Sequence, residues 1–200
     1  MLKVAEEEGV IPFAFRMPRQ KEGQNRKRVI SPAEEKLIYQ ACDSLGLADL
    51  KDYIQFTIDT GFRKMESLMI LVADCQNGMA ALHDGATKSG KGRRVPLTCR
   101  AKRIVEKRQG NQRLFDGMNE YSLRRDWDVL KNALGFDNTF IIHSLRHTCA
   151  SRLGMAGKNA FFIKEWMGHS SVVVSQQYVH LNINHLVEGA EALSLLSQGL

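Results

Sequence analysis

The pattern of apolar and polar positions divides this 200-residue chain into a leading stretch of weak periodicity and a long, mostly helical body. Ser31-Pro32-Ala33-Glu34 is a strong helix start: a serine to cap, a proline at the first helical position and a glutamate to close a capping box. From there the pattern predicts helices over about 32–46 and 48–60, an interruption at Gly61, and a resumed helical pattern from Lys64 to Leu71. Gln76-Asn77-Gly78 reads as a turn. Met79 to His83 and Arg93 to Leu97 read as strands on either side of the glycine-rich segment Ala86 to Gly92, hence as a hairpin. Helical patterns return at about 98–108, 119–134, 143–155, 160–167, 171–178 and 184–197. The expected fold is mainly α with one small antiparallel β-sheet, an α+β class.

Ahead of this body, residues 1–11 read as the tail of a helix ending at Gly9, left from a preceding domain. Residues 12–30, with Pro12, Pro18, Gly23 and a basic cluster, read as a linker. A compact domain is expected over 31–181, followed by a helical segment over 182–200, and the chain is expected to be a truncation.

Composition adds a core and a partner. A hydrophobic fraction of 44% supports a packed interior. A net charge of +6 is unevenly spread: Arg16, Arg19, Lys21, Arg26, Lys27 and Arg28 crowd one segment, and Lys88 to Arg108 form another. Such runs are either solvated faces or the footprint of a polyanion. Cys42, Cys75, Cys99 and Cys149 are scattered with no CxxC pair, as expected for free thiols in a reducing cytoplasm. The amino terminus has no apolar signal core and no stretch approaches a membrane span, so a soluble cytoplasmic protein without a membrane partner is expected.

Several residues carry possible chemistry, each with a plain structural alternative. His143 and Arg146 share one helix face, where a guanidinium fork and an imidazole can hold a phosphate, or simply cap and pair. His143 and His147 have zinc-like spacing, but the glutamate of HExxH is missing, so no metal is expected. Arg63 follows Thr60-Gly61-Phe62 and precedes Glu66 by one helical turn: a guanidinium aimed into a cleft, or an ordinary helix pair. Lys88 sits in the hairpin turn, either solvated or able to protonate a leaving oxygen. Tyr178 lies nine residues past His169; it is amphipathic packing, or a nucleophile if cations stabilise the charge formed on attack.

The order of these residues resembles the catalytic domain of the tyrosine recombinases, the phage-integrase family. In that family an arginine in a TGxRxxE segment precedes a hairpin lysine in a TKxG context; HxLRH, a GHSS-like turn and a tyrosine follow. Here these read Thr60-Gly61-Phe62-Arg63 with Glu66, Thr87-Lys88-Ser89-Gly90, His143-Ser144-Leu145-Arg146-His147, Gly168-His169-Ser170-Ser171 and Tyr178. Arg93-Arg94-Val95-Pro96-Leu97 and the segment Arg152 to Gly157 also resemble the family, over about residues 31–181. Phe62 departs from it, standing where an aliphatic residue is more usual.

The resemblance implies a site-specific recombinase or integrase that uses neither metal, cofactor nor ATP. Arg63, Arg146, His143 and His169 would surround the scissile phosphate, Tyr178 would form a 3′-phosphotyrosyl link and Lys88 would protonate the departing 5′ oxygen. His143 would accept the tyrosine proton, with Glu66 and His147 in support. Lys91, Arg93 and Arg94, together with Arg26, Lys27 and Arg28, would contact the DNA backbone. The implied partners are double-stranded DNA and further protomers in a synaptic tetramer, from a chain monomeric when free, and residues 182–200 are suited to docking on a neighbour or closing their own core. The implied outcome is integration or excision of a phage or mobile element; strand relaxation of the type IB topoisomerase kind and a non-catalytic DNA-binding module are the competing readings.

Overall fold

Ser31 caps the first helix as its sequence predicts: its hydroxyl accepts from the Glu34 amide at 3.2 Å, and Glu34 accepts from the Ser31 amide at 2.9 Å. In the computed structural model, residues 28–85, 90, 92–179 and 194 are described. Helix α1 (Pro32–Ser44) is followed by α2 (Ala48–Thr60) and the short α3 (Lys64–Met69). A single 3₁₀ turn (Val72–Asp74) leads into strands β1 (Cys75–Gln76), β2 (Met79–Leu82) and β3 (Arg93–Pro96). Helices α4 (Cys99–Lys107), α5 (Glu120–Leu134), α6 (His143–Met155), α7 (Ala160–Met167) and α8 (Val173–Val179) follow in order.

The sheet is antiparallel in the order β1-β2-β3, with Met79 opposite Pro96 and Leu82 opposite Arg93. Its first turn has positive φ at both central residues, 52° at Asn77 and 73° at Gly78, the backbone a two-residue hairpin needs to match strand twist. That turn creates β1, a two-residue strand which the sequence pattern does not reveal. The hairpin tip at 86–89, residues 1–27 and, apart from Ser194, the helical segment expected at 184–197 lie outside the described residues.

Helix α2 is buried on most of its surface, including the polar Asp52, Thr57 and Thr60, each of which has a hydrogen-bond partner. It packs against α1, α4 and α6. Tyr53 and Phe56 of α2 meet Phe115 edge-on, and Phe56 meets Phe62, at centroid distances of 5.4–5.8 Å. Each such ring contributes about 1.5–3 kcal/mol by leaving water. A smaller cluster, Cys149, Ala150, Ile163, Met167 and Tyr178, joins α6, α7 and α8. Buried Glu35 accepts from Arg100 at 2.6 Å and also from Arg152, tying α1, α4 and α6 together.

The folded unit includes residues assigned above to the linker. Ile30 is buried and its amide donates to Thr148 at 2.9 Å. Arg28, expected on DNA, instead pairs with Glu34 at 2.6 Å and Asp137 at 3.2 Å while its guanidinium lies over Phe136. Its charge is spent inside the fold, stacked on an aromatic face.

Candidate active site

The Thr60–Arg63 segment shows how local sequence aims a guanidinium. The Thr60 hydroxyl donates to the Phe56 carbonyl at 2.8 Å, and Gly61 ends α2 in the left-handed conformation, φ 67°. A side chain at Gly61 would meet Met167 Sδ at 2.6 Å, so glycine is required for both conformation and space. Phe62 then enters the core and Arg63 becomes the residue before α3. Glu66, one turn on, accepts from the Arg63 amide at 2.9 Å and from Arg63 Nη1 at 2.7 Å.

Three guanidiniums converge on one helix end. Arg93 Nε donates to the Trp166 carbonyl at 3.1 Å, Arg146 Nη2 to Met167 at 2.5 Å, and Arg63 Nη2 to Gly168 at 3.0 Å. The last carbonyls of a helix have no partner within it and carry the negative end of its dipole, so cations are stabilised there. Arg146 also donates to the Gly61 carbonyl at 2.6 Å, which joins the α2 terminus to the α7 terminus.

That turn presents His169. Gly168 caps α7 at φ 64°, the His169 amide returns to the Lys164 carbonyl, and His169 Nδ1 lies 2.8 Å from the buried Ser175 hydroxyl. With Ser175 donating to Nδ1, Nε2 carries the proton and can donate to an anion. Tyr178, 5% exposed, stacks near the His169 ring at a centroid distance of 6.5 Å. Its phenolic oxygen is 2.7 Å from His147 Nδ1, and the His143 ring stands edge-on to His147 at 4.6 Å.

The site is electrostatically short of negative charge. Burial alone would raise the Glu66 pKa, but hydrogen bonds and charge from Arg93 and Arg63 bring it down to about 2. Burial, with Arg63 and Arg93 nearby, lowers Arg146 to about 9, leaving it a cation at neutral pH. His169 falls to about 4 through burial and the charges of Arg146, Arg63 and Arg93. His143 is lowered by the same kinds of cause, packing first and then Arg146 and Arg63. Burial raises Tyr178, while Arg146 opposes it. An anion placed here would relieve strain on every cation at once. A cleft of about 740 Å³ between β3 and α7, lined by Arg93, Arg94, Gly168 and His169, opens beside the site.

Residues 28–185 match the family model described as the phage integrase family. The chain belongs to that family. The integrase of Salmonella phage P22 is 28% identical over 188 residues, covering 84% of this chain and 47% of that protein. The tyrosine recombinase XerA of Saccharolobus solfataricus is 28% identical over 167 residues, covering 80% and 56%. The chain thus spans about half the length of the curated relatives it matches. The catalytic domain of bacteriophage HP1 integrase superposes with TM-score 0.65 at 25% identity, covering 82% of this chain and 93% of that one. A lambda integrase dimer bound to a COC′ core site shares the fold, with TM-score 0.70 at 20% identity, covering 88% and 55%.

Within this phage-integrase fold, five of the six expected site residues, Arg63, His143, Arg146, His169 and Tyr178, are brought together around the C-terminal end of α7 and the adjoining faces of α6 and α8. The sixth, Lys88, lies outside the described residues, as do Lys91, Arg26 and Lys27. Arg94 is exposed beside the cleft. Arg93 corrects the expectation of a DNA-backbone contact: its side chain is 8% exposed and pairs with Glu66 at 2.7 Å. His143 was expected to take the tyrosine proton, yet His147 stands against the phenol. Ser175 escaped the sequence reading altogether, because its six-residue spacing from His169 follows no helical period.

Proposed function

We propose that this protein breaks and rejoins DNA strands through a covalent 3′-phosphotyrosyl intermediate, as a site-specific recombinase acting on a phage or other mobile element. One observation carries the reading: a buried tyrosine whose hydroxyl meets a histidine lies beside a cluster of three arginines around one carboxylate and one helix end.

In the reaction, a scissile phosphate sits between Arg63, Arg146 and His169. The Tyr178 oxygen attacks phosphorus and its proton passes to His147 Nδ1, which lies 2.7 Å from the phenol oxygen. The pentacovalent transition state gathers negative charge on the non-bridging oxygens, where the fixed guanidiniums stabilise it without reorganising. The phosphorus–5′-oxygen bond breaks, and Lys88 supplies the proton that makes the departing oxygen a hydroxyl. A 5′ hydroxyl from another duplex reverses these steps, and the phosphodiester energy is kept in the phosphotyrosyl bond. Exchange between duplexes calls for several protomers on DNA; a chain monomeric when free and tetrameric at synapsis fits this scheme. The lambda integrase dimer bound to a COC′ core site and the XerH recombinase bound to a palindromic difH substrate, both similar in fold, support action on DNA.

The test is covalent trapping. The protein is incubated with a pool of nicked duplexes of randomised sequence and run on a denaturing gel. An adduct is expected for the native chain and none for Tyr178→Phe, with duplex binding retained. An undiminished adduct from the variant would overturn the nucleophile assignment. Relaxation of supercoiled DNA without two-site exchange would favour the topoisomerase reading.

A further inference from the structure

We infer that Arg93 is a positioning residue of the strand-transfer site: it clamps the β2–β3 hairpin to Glu66 and to the C-terminal turn of α7, and thereby fixes His169. The inference rests on the function proposed above.

Arg93 is built into the interior. Nε holds the Trp166 carbonyl at 3.1 Å, Nη2 holds Glu66 Oε2 at 2.7 Å and Nη1 approaches Glu66 Oε1 at 3.4 Å. A group committed on both edges and 8% exposed cannot reach a DNA backbone without dismantling these contacts. Its flat faces are also used. The guanidinium lies 5.1 Å from the centroid of Phe62, the aromatic residue at the position where an aliphatic was expected. On the Gly168 side, a Cβ would come within 2.8 Å of Nη1 and 3.0 Å of Cδ, so the absence of a side chain lets Arg93 lie flush against the turn.

Placement explains the consequence. Trp166, Met167 and Gly168 are consecutive, and their carbonyls go to Arg93, Arg146 and Arg63 in that order. Arg93 is the member of this trio that comes from the sheet. It is five residues beyond Lys88 in the chain, so it anchors the strand that carries the hairpin to the phosphate grip. It also shares Glu66 with Arg63. Without Arg93, the whole carboxylate would turn to Arg63, drawing that guanidinium off the phosphate and cutting the site's positive charge. Lysine cannot replace it, because one ammonium cannot meet Glu66 and Trp166 in the plane that Phe62 and Gly168 define.

The experiment compares Arg93→Ala and Arg93→Lys with the native 200-residue chain. Covalent adduct formation on the nicked duplex pool is expected to slow by about 10²-fold in both, the scale of a small misplacement at a reacting centre. The slope of duplex affinity against salt should stay native, because no phosphate contact is lost. A ring-proton NMR titration of His169, done without DNA, should move to higher pH in Arg93→Ala, since one of the cations facing His169, namely Arg146, Arg63 and Arg93, has gone. An unchanged His169 titration overturns the inference whether or not DNA is cut. So does a salt slope reduced by about one phosphate, which would mark Arg93 as a direct DNA contact. Full recovery in Arg93→Lys would reduce its role to charge alone and also overturn it. If Arg93→Ala does not fold, Arg93→Lys carries the rate and slope measurements. Absence of any adduct from the native chain, with a shifted His169 titration, would instead count against the proposed function.

Discussion

The Tyr178 hydroxyl meets Nδ1 of His147 at 2.7 Å, so the buried phenol is held against an imidazole nitrogen. The contact joins α8 to α6 and brings Tyr178 to the helix that carries Arg146. Burial makes ionisation of Tyr178 harder than in water, so attack depends on a proton acceptor and on nearby positive charge.

If His147 takes the proton, His147→Ala should slow adduct formation by about 10²-fold or more, the usual scale for general base catalysis. His143→Ala should be milder at the proton-transfer step, because its ring touches His147 rather than the phenol. Single-turnover trapping of both variants checks this. A larger loss in His143→Ala would return the base role to His143.

Gly154 sets how closely α8 can approach α6. A Cβ there would collide with the Tyr178 carbonyl. Alanine would gain about 1 kcal/mol in helix propensity, while overpacking against a backbone atom costs about 1–3 kcal/mol, so the clash wins. Gly154→Ala is expected to lower thermal stability slightly and adduct formation strongly, with duplex affinity kept. Native-like trapping rates would show that Tyr178 does not depend on this close approach.

Acid should weaken the fold through His169. Its pKa is about 4 in the folded protein against an ordinary 6.5, so between those values the unfolded chain binds a proton that the folded chain refuses. Stability then falls as pH drops through that window. Glu66 acts lower: depressed from 4.5 to about 2, it stabilises fully above 4.5 and its contribution is lost as pH falls toward 2. His169→Gln should flatten the decline of Tm between pH 6.5 and 4 by on the order of 2–4 °C, and calorimetry across that range reads it. Parallel profiles for the two proteins would contradict the assignment.

Lys88→Ala should slow cleavage of a normal 5′-oxygen leaving group by about 10²-fold but a 5′-thio substrate far less, because a thiolate departs without a proton. Equal slowing on both substrates would remove Lys88 from the proton-donor role.

Much of this protein was legible in its sequence because local rules wrote it. The cap at Ser31, the helix over 48–60 and the glycine punctuation at Gly61 and Gly168 follow from propensity and left-handed backbone geometry. The ordered motifs supplied the identity of the site residues. The two-residue strand β1 was not legible, since it exists only by pairing with β2.

What the chain order left open were the partners of residues with several options. Arg93 and Arg94 are neighbours with the same charge, yet the strand sends one inward to Glu66 and leaves the other exposed, because successive side chains on a strand face opposite sides. Arg28 looked like part of a basic linker until Phe136 and Asp137, more than a hundred residues later, gave it a seat. His143 and His147 share one helical face, and the choice between them falls to α8, which delivers Tyr178 to His147. The order of motifs along the chain named the candidate groups. Tertiary packing decided which of them touch, because a side chain's partner is set by long-range contacts that no local period encodes.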